Sequence, residues 1–226
     1  MRRFLFVLPL LFLAQPSSAA TLREIVWRCN SPTLNDAHIR ACTILVDMIN
    51  LDRNNQAAAF VQRAKGYLAR GAKGDLEAVI FDTTHALVFN PDNAEAYYLL
   101  GEAHKKQGLT EQAATEEAKA IEVASKIVEM KPAAGYSERA LLHHLMGEDD
   151  KALPDAIKLV ELKPESSDAL ALRGEIQEKL GHRDEAATDF RAALKLSGPK
   201  IRVGGEYDDW STPRAMEGLA RLGETP

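Results

Sequence analysis

Four glycines set the rhythm of this 226-residue chain. Gly74, Gly108, Gly147 and Gly181 each fall between two helix-like stretches, and both the first pair and the second pair are 34 residues apart. Ala113, Ala152 and Ala186 each follow one of these glycines by five residues. The units close on an apolar run and a proline: Phe89-Asn90-Pro91, Met130-Lys131-Pro132, Leu162-Lys163-Pro164 and Leu196-Ser197-Gly198-Pro199. A 34-residue period punctuated in this way predicts a solenoid of paired helices. Such a stack buries its core between neighbouring units, and its usual work is binding rather than chemistry.

The clearest unit runs from Ala94 to Gly108 and on to Met130. Tyr97, Leu100, Gly101 and His104 recur at three and four residues, one face of a helix, with Gly101 small enough for a partner helix to approach. Gly108 ends that helix in the left-handed conformation other residues resist. A second helix is expected from Glu111 to Met130, with Ala113, Ala120, Ile121, Ala124, Ile127 and Val128 on its buried stripe.

On these residues the chain resembles tetratricopeptide-repeat (TPR) proteins, whose pattern runs aromatic, Leu-Gly, Tyr, then Ala, Phe, Ala and Pro. The last unit carries Leu170, Gly174, Gly181, Ala186, Phe190 and Ala193 in those places, and the first carries Gly74, Ala78, Ala86 and Asn90-Pro91. The third matches more loosely through Ala140, Gly147, Ala152 and Pro164. The resemblance implies an all-α, right-handed superhelical solenoid with capping helices at both ends. The expected division is 1–20 leader, 21–54 N-terminal cap, repeats at about 55–93, 94–132, 133–166 and 167–199, and 200–226 C-terminal cap and tail.

Two departures stand out. Pro91 to Pro132 spans 41 residues, seven over the period. Seven residues are two helical turns, so the helix can lengthen by about 10 Å and keep its apolar stripe. That surplus is either a tolerated insertion or a ridge that meets a partner or an adjoining repeat. Arg70-Gly71-Ala72-Lys73, ahead of Gly74, suggests a loosened loop.

The first twenty residues read as a secretory signal peptide. Arg2 and Arg3 precede an eleven-residue apolar run, Phe4 to Ala14, and a small polar stretch ends at Ala19-Ala20, with cleavage after either. Eleven residues span about 16 Å as a helix, half a bilayer, so no stable membrane insertion is expected once the leader is removed. Cleavage leaves 26 Lys and Arg against 33 acids, which disfavours nucleic acid and anionic lipid as partners. The periplasm or the exterior is the expected location. Cys29 and Cys42, the only cysteines, would enter an oxidising compartment, where an even count argues for a disulfide worth about 2–3 kcal/mol. The alternative is two unlinked thiols with Cys42 buried. Their surroundings look like the cysteine-bearing leader of some exported bacterial TPR proteins.

One amphipathic helix over 35–50, bearing Cys42, Leu45, Met48 and Ile49, would cover the first end of the stack. Lys200 to Trp210 reads as irregular, and a closing helix is expected from Ser211-Thr212-Pro213 to Leu222, with Pro213 at its first position.

No catalytic constellation, cofactor site or metal site is expected. Gly66 to Gly74 lacks the Gly-Lys-Ser/Thr of a phosphate-binding loop. The histidines form no His-Glu-x-x-His, and His143 and His144 are adjacent and point about 100° apart. Glu148-Asp149-Asp150 suits a helix start, and His104 takes a TPR tyrosine position as an interior residue. Candidate binding residues come from the resemblance, which puts the first helix of each pair on a concave face: Glu95, Tyr98, Glu102 and Lys105; Leu141 and His144; Asp168, Glu175 and Glu178. Five acids against one lysine predict an acidic groove for a basic protein or peptide, with Tyr98 as an exposed aromatic anchor. The Lys and Asn with which some TPR domains clamp acidic tails are missing there. The alternatives are an ordinary solvated face, a self-associating organiser of an envelope complex, or an enzyme or accessory subunit of an enzyme.

Overall fold

A computed structural model describes residues 21–31, 33–48, 50–197 and 211–225. These form eleven helices and, among the described residues, no strand. The cap is α1 (Leu22–Cys29) and α2 (Asp36–Val46). Four pairs follow: α3 (Arg53–Arg70) with α4 (Asp75–Phe89), α5 (Ala94–Lys106) with α6 (Thr110–Met130), α7 (Pro132–Leu145) with α8 (Asp149–Leu162), and α9 (Ser167–Lys179) with α10 (Arg183–Ser197). The chain closes on α11 (Ser211–Leu222). The leader and the stretch 200–210 lie outside the described residues.

Each turn within a pair is made by a glycine with positive φ: Gly74 at 90°, Gly108 at 81°, Gly147 at 75° and Gly181 at 82°. The four glycines picked out by period therefore mark the four hairpins. The turn at Gly71–Gly74 is longer than the rest but not loose. Asp75 accepts from Arg70 at 2.6 and 3.0 Å and from the Ala72 amide at 2.8 Å, which pins both sides of it.

Two expectations for the caps are corrected. The helix read over 35–50 stops at Val46, and Met48 lies beyond it. Asn35 is its N-cap, accepting from the Ala37 and His38 amides at 2.9 and 3.0 Å. Pro213 is the third residue of α11 rather than the first; proline fits anywhere in a first turn because those amides have no partner within the helix. The cysteines are bonded: Cys29 at the end of α1 joins Cys42 on α2, Cα to Cα 4.8 Å.

The core is a series of adjoining clusters. One joins α1, α2 and α3, the largest runs from α3 to α7, one spans α7 to α9, and the last packs α9, α10 and α11. In the last cluster Phe190 is fully buried, and its ring fills the space where a Cβ on Gly174 or Gly218 would stand.

The surplus seven residues lie in α6, which has 21 residues where α4, α8 and α10 have 14 or 15. The link after it is shortened. Residues 90–93 and 163–166 join other pairs, but Lys131 alone joins α6 to α7. Gly135 permits this corner, because a Cβ there would stand 2.2 Å from the Val128 nitrogen.

One device recurs across the pairs. Arg63 of α3 forks onto Asp82 of α4 at 2.8 and 2.6 Å. Arg139 of α7 does the same to Asp155 of α8, at 2.6 and 2.8 Å. Arg173 of α9 and Asp189 of α10 repeat it at 2.7 Å for both bonds. Burial pushes the Asp82 carboxyl up, and the two hydrogen bonds from Arg63 oppose that. Arg139 also reaches Ser125 of α6 at 3.1 Å, so it ties its own pair to the preceding one. The α5–α6 pair departs: Leu100 stands where the arginine would be, and Glu116 is met instead by His104 Nδ1 at 2.8 Å. His104 is thus a half-buried paired residue rather than an interior packing one.

Candidate functional site

The first helices of successive pairs touch one another, α3 with α5, α5 with α7, α7 with α9 and α9 with α11, whereas the second helices do not. The stack is tighter along the first helices, so they line its concave side.

Ion pairs change the expected charge of that side. Glu95 meets Lys65 of α3 at 2.9 Å. Glu178 meets Arg221 of α11 through two 2.8 Å hydrogen bonds, and Glu175 is forked by Arg214 of α11. The expectation of five acids against a single lysine is therefore corrected. The positive charges come from the helices at either end of the groove, α3 and α11, which the tally did not include. Asp168 also lies close enough to Arg214 to favour its charged form.

The middle of the groove stays acidic. Lys105 lies between Glu102 and Glu117, at 3.4 and 3.5 Å, and their charges raise its pKa. Glu138 of α7 is half-buried and makes no hydrogen bond or ion pair among the described residues; desolvation first, and the charge of Glu95 second, hold its carboxyl above the usual range. Leu141, one turn further along α7, is 37 % exposed.

Tyr98 is not an exposed anchor: only 8 % of it is accessible. It sits where α5 is closed in by α3 and α7. Burial, helped by Glu102 and Glu117, pushes its phenol up to about 12. His144 pairs through Nδ1 with Asp149, and His143 pairs with Glu148 at 2.7 Å; the two side chains fasten the α7–α8 turn. Sequence reading missed Lys65, Glu138, Arg214 and Arg221. Lys65 was detectable, since it stands one residue after Ala64 as Glu102 stands one after Gly101.

Among the described residues no group of three or more His, Cys, Asp or Glu side chains could hold a metal ion. None of the described helices is long and apolar enough to cross a membrane.

The protein is an all-helical solenoid of TPR-like pairs with helices closing both ends. Residues 85–108 match a family model described as TPR repeat, and residues 167–199 match one described as tetratricopeptide repeat. A thermophilic TPR protein of Thermus thermophilus shares the fold at 18 % identity and a TM-score of 0.58, over 89 % of this chain and 95 % of that one. MamA is 29 % identical over 71 % of this chain and 87 % of its own, with a TM-score of 0.36. The TPR domain of P58(IPK) is 14 % identical over 83 % of this chain and 59 % of its own, with a TM-score of 0.38. No curated protein matches the sequence. A TPR fold implies a protein- or peptide-binding role.

Proposed function

We propose that this protein is an exported scaffold that binds an extended, basic protein segment along its concave face, in the periplasm or outside the cell. The working division is the one read from the sequence: leader, disulfide-bearing cap, four repeats and a closing helix. Export is supported by the leader pattern in 1–20 and by the disulfide, which persists in oxidising compartments. The observation that carries the binding site is Glu138. A half-buried carboxylate without a cation, one turn from exposed Leu141 and close enough to Glu95 to feel its charge, suits a lysine or arginine whose stem lies on the leucine. The groove ends, already neutralised by Lys65, Arg214 and Arg221, offer less to such a residue.

The test is crosslinking in the native envelope with mass spectrometry, repeated with Glu102→Gln plus Glu138→Gln. Capture of a basic segment by wild type, lost in the variant and weakened by salt, is expected. Equal capture by both proteins at low and high salt overturns the groove. A second reading, self-association, is favoured by the exposed apolar ends of three second helices, Met130 at 72 %, Leu162 at 49 % and Leu196 at 43 %. A concentration-dependent mass in sedimentation is its test.

A further inference from the structure

Beyond Lys65 the groove reaches the seam between the cap and the first repeat, and the seam is not filled. A pocket of about 250 Å³ lies there. Val26 of α1, Leu45 of α2, Leu51 and the α3 residues Ala58 and Ala59 give it apolar walls. No Asp, Glu, Lys or Arg lines it, in contrast to the centre of the groove.

The register of α3 puts its mouth on the concave side. Ala58 and Lys65 are seven residues apart, hence on one face of the helix, and Lys65 meets Glu95 in the groove. Ala58 is exposed and stands six residues before Ala64, as Glu95 stands six before Gly101. A small apolar residue therefore takes the place of an acid. α1 leaves apolar surface bare at the same seam. Val26 is exposed although it shares a helix face with buried Cys29, and Leu22, one turn earlier, is exposed with it.

Size and polar rim narrow the occupant. Small-molecule sites typically measure about 300–1,000 Å³, and this pocket is nearer the size of one large side chain. Gln62, half-buried at its edge, makes no side-chain hydrogen bond among the described residues, and its amide keeps contact with solvent. Asn30 donates to the Val26 carbonyl at 2.8 Å and Asn55 donates to Asp52, which leaves both side-chain oxygens open. A primary amide offers the same donor and acceptor as a peptide unit, so this rim suits an apolar side chain carried on a backbone. A hydrocarbon chain would cover the same amides without pairing them.

We infer that, given the basic segment proposed for the groove, this pocket takes one large apolar side chain of that same segment. The spacing follows from the stack. α7 lies two first-helix steps from α3, and the seam adds about half a step. At about 8–10 Å per step the pocket is about 20–25 Å from Glu138. An extended chain rises about 3.3 Å per residue, so the apolar and the basic residue stand about six to eight positions apart. The partner is thus a segment with two anchors of different chemistry, separated by the paired and neutralised stretch at Lys65 and Glu95.

The test is carbon-13 methyl NMR of the oxidised protein. The probes are acetyl-leucinamide, acetyl-alaninamide, and glycine–serine peptides carrying one lysine and one leucine, seven or three positions apart and in either order. Saturable shifts of the Val26, Leu45 and Leu51 methyls are expected with acetyl-leucinamide and not with acetyl-alaninamide. In one order, the peptide with the wider spacing should bind roughly tenfold tighter than its leucine-to-serine version or the narrow one. Ala58→Gln, an exposed and neutral change that sets a long polar side chain at the mouth, should remove the leucine advantage and keep the dependence on lysine. Glu138→Gln should do the reverse. Absence of methyl shifts with acetyl-leucinamide, or a leucine advantage that survives Ala58→Gln, overturns the pocket whatever the lysine does. Equal binding at both spacings overturns the shared segment. Methyl shifts that grow with protein concentration and no probe mean that a second copy fills the pocket, and overturn it too. Methyl shifts with no dependence on lysine overturn the groove as a basic-segment site instead.

Discussion

Replacing Gly135 with alanine should destabilise the protein, although alanine is the better helix former. The new Cβ would stand 2.2 Å from the nitrogen of Val128, 2.4 Å from its Cα and 2.6 Å from the carbonyl carbon of Ile127. All three atoms are backbone of α6, so no side chain can swing aside. The lone linker Lys131 leaves no slack for α7 to slide away. Propensity favours the substitution by about 1 kcal/mol. Overpacking typically costs about 1–3 kcal/mol, and a contact with rigid backbone belongs at or above the top of that range. The net expectation is a loss of about 2 kcal/mol or more. For a chain of this length that lowers Tm by roughly 4–8 °C. Thermal and urea unfolding followed by circular dichroism reads it, with Ala134→Gly as control. Ala134 is exposed in the same turn, and its change should cost no more than about 1 kcal/mol, from propensity alone. Hydrogen exchange should localise the Gly135→Ala damage to α6 and α7, since units of a stack contact only their neighbours. A variant as stable as wild type, or more stable, would refute the reasoning.

Three further outcomes are expected. Arg139→Gln strands the buried Asp155 and frees Ser125; urea midpoints should report a loss of about 2–3 kcal/mol, less than for a fully buried pair because the guanidinium is 25 % exposed. Cys29→Ser with Cys42→Ser should cost about 2–3 kcal/mol, and hydrogen exchange should show α1 fraying first while α7 to α11 stay protected. Glu138→Gln should stabilise the protein at pH 7. The folded carboxyl titrates above its unfolded value, so the native state holds the extra proton and wild-type stability falls as pH rises through that window. The advantage of Gln should therefore vanish once pH drops below the unfolded value near 4.5, and a gain that persists there contradicts the assignment.

The hairpins and the disulfide were legible because each depends on one residue type with a particular physical need. A left-handed turn asks for glycine, and a disulfide asks for paired cysteines. The forked arginines were legible too, though unread: Arg139 and Arg173 precede their turn glycine by eight residues, and Asp155 and Asp189 follow it by eight. The groove was harder to read. Its charge is set by contacts between units, and Arg214 and Arg221 sit on a closing helix that carries no repeat pattern. Tyr98 misled for a related reason. Position on a helix says which way a side chain points, but the depth at which it ends is decided by how closely α3 and α7 crowd α5.

The single-residue corner at Lys131 bears on how the whole superhelix bends. Four residues join α4 to α5 and α8 to α9, and a joint of that length can pivot through many dihedrals. Between α6 and α7 there is one, with helix on either side and backbone against backbone at Gly135. The middle of the stack therefore acts as a stiff bracket, with compliance on both sides of it. A partner laid along the groove would meet fixed spacing at Glu102 and Glu138, and adjustable spacing toward Lys65 and Arg214.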